Sequence, residues 1–142
     1  MANENLPEID PALQPSQQGV GFDLQRALRA VHLIRTRIPE DGFTVGSLGT
    51  ERTGHAVLID KRGLFLTIGY LIVEAKSVWL IDADGAATEG SVIGADTVTG
   101  LGLVQMLGRP SAEPLPIGSA ADLTFGARGI VAGYGGVRQS IA

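Results

Sequence analysis

Twenty glycines in a chain of 142 residues, about twice the usual share of roughly 7%, fall singly between short apolar runs and limit what the chain can build. Glycine weakens helix interiors and punctuates turns. A chain cut this often by glycine reads as many short strands. Val31, Leu33, Arg35 and Arg37 alternate with His32, Ile34, Thr36 and Ile38 up to Pro39, the two-residue period of a strand. Ala56–Ile59 and Leu64–Thr67 flank Asp60-Lys61-Arg62-Gly63, a hairpin turn ending in glycine. Val78–Asp82, Gly90–Ile93, Leu101–Leu107 and Gly129–Ala132 complete seven strand candidates. One short helix is expected over about residues 23–29, with Asp23 as its cap and Leu24, Ala27 and Leu28 on one face. Residues 41–51 read as loop. Seven strands and one helix predict an all-β barrel or sandwich.

Hydrophobic residues make up 44% of the chain and charged residues 18%, enough for a packed core in one domain. Eleven Lys and Arg against 15 Asp and Glu give a net charge of −4, which disfavours binding to nucleic acid or to an acidic membrane surface. The chain has no cysteine, which removes disulfides, thiolate catalysis and Cys-type zinc sites. Two histidines are few for a metal centre, and neither a metal nor another cofactor is expected. The apolar runs are too short for a membrane span. The first residues have neither a positive start nor an apolar stretch, so as written the chain is expected in the cytoplasm. Pro7, Pro11 and Pro15 among Gln, Ser, Asn and Glu mark residues 1–21 as a flexible leader.

Four stretches, in order, resemble a known family. Gly54-His55-Ala56-Val57-Leu58-Ile59-Asp60 and Gly63-Leu64-Phe65-Leu66-Thr67-Ile68-Gly69-Tyr70-Leu71-Ile72 are similar to the Gly-Ser-Gly-Val-Ile-Ile-Asp and Gly-Tyr-Ile-Leu-Thr-Asn-Asn-His-Val-Val stretches of trypsin-like serine proteases of the HtrA/Deg branch. Val92-Ile93-Gly94-Ala95-Asp96 running into Leu101-Gly102-Leu103-Val104 resembles the segment ending Asp-Leu-Ala-Leu-Leu. Leu115-Pro116-Ile117-Gly118-Ser119, with Gly126 and Val131-Ala132-Gly133, resembles Leu-Pro-Leu-Gly-Asp-Ser…Gly…Val-Ala-Gly. The resemblance covers about residues 30–136. Relatives in this family are often exported. It implies a trypsin-like six-stranded β-barrel over 22–136, the N-terminal half of the two-barrel chymotrypsin-type fold, with 137–142 starting the linker or second barrel. The nucleophilic serine, oxyanion hole and specificity pocket would belong to that second barrel.

By the same register, Tyr70 stands where the family has its general-base histidine and Gly100 where it has the orienting aspartate. Imidazole, with a pKa of about 6.5, takes a proton from a serine hydroxyl near neutral pH, whereas a phenol, at roughly 10, is already protonated. Glycine offers no side chain to orient a base. The chain is therefore expected to be a degenerate, non-catalytic protease homologue that binds an extended peptide or a protein partner. The competing expectation is the N-terminal half of an active serine endopeptidase whose nucleophile lies beyond the chain. A nucleic-acid-binding OB or SH3-like barrel is disfavoured by the acidic balance and the scattered aromatics. A first barrel with an uncovered apolar face is also expected to self-associate.

The remaining candidates have plainer readings. Tyr70 is preferred as a half-buried aromatic filling the imidazole's place over a ligand donor. His32 and His55 are read as surface or hydrogen-bonded residues rather than as bases or ligands. Gly133-Tyr134-Gly135-Gly136 lacks a following Lys-Ser/Thr and reads as an inter-barrel linker rather than a phosphate loop. Asp82, Asp84, Glu89 and Asp96 read as solvated turn residues. Arg26, Arg29, Arg35, Arg37 and Arg52 read as solvated faces of a helix and an edge strand rather than a docking patch. Trp79 reads as a barrel or interface residue.

Overall fold

The two-residue alternation beginning at Val31 governs the architecture. The computed structural model describes residues 9–135 and 140–141. Helix α1 (Leu24–Arg29) precedes β1 (Val31–Arg37), β2 (Glu51–Asp60), β3 (Leu64–Ile68), β4 (Ser77–Ile81), β5 (Ala87–Ala95) and β6 (Leu101–Met106). These six antiparallel strands close in the order β1-β2-β3-β6-β5-β4. The expected six-stranded barrel is present. Asp23 caps α1 by accepting a hydrogen bond from the Arg26 N–H at 3.0 Å. The β2–β3 hairpin turns at Gly63, which has φ of +87° and donates its N–H to the Asp60 carbonyl at 3.0 Å.

Several boundaries differ from the sequence reading because pairing outlasts the apolar pattern. β2 begins at Glu51, since Glu51–Val57 pairs along the whole of β1. β1 is thus no edge strand; β2 and β4 hydrogen-bond to its two sides. The seventh strand candidate reduces to β7 (Val131–Ala132), which pairs outside the barrel with β8 (Ser140–Ile141). The single expected helix is joined by two one-turn helices, α2 (Val45–Leu48) and α3 (Gly69–Ile72). Among the described residues, 3₁₀ turns form at Pro11–Leu13, Gln17–Gly19 and Ala120–Asp122. No helix among the described residues is long and apolar enough to cross a membrane.

The barrel interior holds Ile34, Ala56, Leu58, Phe65, Val78, Leu80, Val104 and Met106, the inward halves of alternating strands. α3 plugs one end. Its Leu71 and Ile72 are buried, and two glycines make the room: a Cβ at Gly54 would lie 2.5 Å from Leu71 Cδ1, and one at Gly102 would lie 2.6 Å from Ile72 Cδ1.

His32 belongs to the same inward face as Ile34. It is fully buried, its ring stands edge-on to Phe65 at 4.8 Å between centroids, and neither ring nitrogen has a hydrogen-bond partner among the described residues. This corrects the reading of His32 as a surface or hydrogen-bonded residue: a histidine at an inward register position is buried whether or not a partner is there. Burial disfavours the imidazolium and lowers the pKa from its ordinary 6.5. The unfolded chain therefore takes the proton first. Stability from this residue is complete above about pH 6.5 and falls as pH drops toward and through the lower folded value, by at most about 1.4 kcal/mol per pH unit. Urea midpoints should decline as pH falls below about 6.5 in the wild type and decline less in His32→Leu. A midpoint equally flat in both proteins would contradict this.

Candidate functional site

The site is built where α3 meets the β5–β6 turn. Leu71 and Ile72 bury themselves in the barrel mouth, which leaves Tyr70 between them and Gly69 turned outward at 48% exposure. The Gly69 N–H donates to the Gly100 carbonyl at 2.8 Å. The two positions singled out in the sequence, 70 and 100, thus sit on adjacent turns although thirty residues separate them. Gly100 has φ of +74°, the left-handed region that glycine enters without strain.

The carboxylate nearest in sequence to Gly100 is occupied. Asp96 accepts from the Thr99 hydroxyl at 2.7 Å and from the Val98 N–H at 3.0 Å, and these bonds, the hydroxyl first, hold its pKa below the usual carboxylate range. It closes the turn, as its solvated-turn reading expects. Asp82 acts likewise, accepting the N–H groups of Asp84 and Ala86 at 2.9 Å each.

Beneath Tyr70 lies a feature the sequence did not disclose. Arg52 is buried, which corrects its reading as a residue of a solvated face. Its Nη1 donates to the carbonyls of Tyr70 at 2.6 Å and Val73 at 3.2 Å, its Nη2 to Thr44 Oγ1 at 2.7 Å, and its Nε to the Gly49 carbonyl at 3.3 Å. Register explains the burial: Arg52 shares the inward side of β2 with Ala56 and Leu58. Glu74 completes the clamp. With φ of +62°, it accepts from the N–H groups of Phe43 at 2.7 Å and Thr44 at 2.8 Å and from the Thr44 hydroxyl. These bonds, the hydroxyl first, hold its pKa below the usual range. Arg52 and Glu74 thereby fasten the 43–49 segment to the turn that carries Tyr70.

Of the other arginines, Arg26, Arg35 and Arg37 are exposed and Arg29 is half-buried, although the strand that carries Arg35 and Arg37 is paired on both sides and is not the edge strand of their reading. Arg26 pairs with Glu113 at 3.4 Å, Arg37 with Glu51 at 3.3 Å, and Arg29 with Asp84. Trp79 is outward on β4, 43% exposed, opposite Arg35 and Glu89. His55 is hydrogen-bonded, as read from the sequence: its Nδ1 accepts the Tyr134 N–H at 3.0 Å. Gly133 lies against the same ring, where a Cβ would come within 3.1 Å of Cε1. Gly136 and residues 137–139 lie outside the described residues. Among the described residues no three His, Asp or Glu side chains gather as metal ligands would.

A trypsin-like peptidase domain family matches residues 53–142. A protein described as a putative serine protease, HhoA of Synechocystis sp., is 33% identical over 81 residues, which are 56% of this chain and 21% of that protein. The chain therefore spans about a fifth of that relative's length. A solved HtrA-type protease with a tripeptide superposes with a TM-score of 0.60 at 20% identity, over 72% of this chain and 30% of that one. At that identity the likeness concerns the fold.

Proposed function

Because this chain belongs to the trypsin-like peptidase domain family, we propose that it is a degenerate HtrA-type member: a non-catalytic module that binds extended peptide or protein segments. The observation that carries the reading is the pairing of position 70 with position 100. The Gly69-to-Gly100 hydrogen bond sets the two turns side by side, in keeping with the register that assigns Tyr70 to the base and Gly100 to its orienting carboxylate. A phenol and a hydrogen atom stand at those positions. Neither accepts a proton from a hydroxyl nucleophile near neutral pH. Of the chain's two imidazoles, His32 is buried in the core and His55 accepts the Tyr134 N–H through Nδ1. Loss of triad members leaves only the catalysis that an oxyanion hole and binding provide, about 10³ to 10⁴-fold over water.

The second reading is that the chain is the N-terminal half of an active serine endopeptidase. It is favoured by the small share of HhoA that the chain spans. Two measurements separate the readings. A pool of extended peptides screened against the purified chain should yield binding without cleavage; an empty screen contradicts the binding module. An active-serine-directed phosphonate should leave the full-length gene product unlabelled, and covalent labelling would establish the endopeptidase.

A further inference from the structure

A closed barrel hides most of its backbone ladder, which makes any uncovered stretch informative. β5 is nine residues long and β4 five. Their ladder ends at the Val78–Gly90 pair, whereas β6 continues beside β5 as far as the Ala95–Gly102 pair. Residues 91–95 of β5 are therefore paired on one side only. The overhang is built in by the chain before β4. Glu74 turns at positive φ, the Lys76 N–H donates to the Arg37 carbonyl at 2.8 Å, and the chain leaves the sheet for α3. The unpaired part of β2 lies differently, since α3 covers it at Gly54 and Tyr134 bonds to its His55.

The overhang is Ser91-Val92-Ile93-Gly94-Ala95, exposed throughout and free of charge and proline. Natural edges are usually blunted by lysine, proline or an inward charge. Here the sole such device is the irregularity between Val92 and Gly94 on the β6 side. The sheet face beside it is apolar: Leu66, Ile93, Leu101 and Leu103 line a depression of about 340 Å³. Glu89 precedes the edge and Asp96 follows it, so both ends are acidic on a chain of net charge −4. The far end also meets the site already described, since a Cβ on Gly69 would lie 3.4 Å from the Ala95 Cβ.

We propose that the free edge of β5, Ser91–Ala95, is where the module takes its peptide, as an added strand with apolar alternate residues over the Leu66–Leu103 face and basic residues at its ends. This rests on the peptide-binding reading above and gives it an address. Main-chain hydrogen bonds would supply sequence-tolerant affinity, and the apolar face and acidic ends the selectivity. A second copy of the chain fits less well, because it would bring the same acidic ends and the same negative charge.

The test uses the whole chain and a short alternating Val/Thr peptide flanked by lysines, with a glutamate-flanked version as its counterpart. The lysine-flanked peptide should slow amide exchange at residues 91–95 by about tenfold or more, and the glutamate-flanked one should bind about tenfold more weakly. Ile93→Lys should weaken binding with the far-UV spectrum unchanged, and Glu89→Lys, on the exposed outer face, should narrow the preference between the two peptides, since Asp96 still holds the other end. Protection that appears on other strands overturns the β5 assignment while the peptide-binding reading stands. Failure of every extended peptide to bind overturns that reading itself. A peptide-free sample that sediments as a dimer with slow exchange at 91–95 gives the edge to a second copy and also overturns the proposal, as does equal binding of the two peptides.

Discussion

Phe65→Ala should lower the stability of the barrel by about 3–5 kcal/mol, the range for removing a buried aromatic ring and leaving its cavity. Phe65 is fully buried, the largest such side chain among the described residues. It lies on β3 opposite Val104 of β6 and Leu58 of β2, so three adjacent strands lose contact at once. The hole also opens beside the His32 ring, 4.8 Å away between centroids, whose unpartnered nitrogens would then border an emptier space. Against a typical domain stability of about 5–15 kcal/mol, this is a large fraction. Calorimetry should show a melting temperature about 10–20 °C lower. A loss below about 1 kcal/mol would mean that the ring is not packed as described.

Arg52→Met should cost on the order of 3 kcal/mol, because the carbonyls of Tyr70 and Val73, the Gly49 carbonyl and the Thr44 hydroxyl lose one shared donor in a place where the lost bonds are only partly replaced by water. Met conserves the apolar stem, so the effect reports on the guanidinium. Lysine is an incomplete substitute: an ammonium on a single stem cannot reach acceptors spread around a planar fork. Arg52→Lys should fall between wild type and Arg52→Met in denaturant midpoint. Amide exchange at residues 69–74 should quicken more than exchange at β6, since the clamp holds α3 rather than the whole barrel. Equal quickening everywhere, or an unchanged Arg52→Met midpoint, would remove Arg52 from this positioning role.

The strand core of the fold was legible in the sequence because alternation is a local signal. Val31 to Ile38 alternate as a barrel strand must, the Asp60–Gly63 turn carries its glycine where φ is positive, and Asp23 caps the helix it precedes. The same alternation placed His32 beside Ile34 on the inward side, so its burial could have been foreseen; its lack of partners could not. α3 was missed because Gly69–Ile72 is a single turn without a period of its own. It is helical because the barrel mouth accepts Leu71 and Ile72.

Sequence alone determined the pattern of many short strands, the lack of thiol chemistry and the residue types at positions 70 and 100, since each depends on identities or short-range spacing. Only the tertiary structure decided that Arg52 is buried and that Glu74 binds Thr44 thirty positions away. It also decided that β5 outruns β4 and exposes Ser91–Ala95. Those features arise when the barrel closes, because closure fixes which distant backbone groups meet a side chain and which are left with no strand beside them.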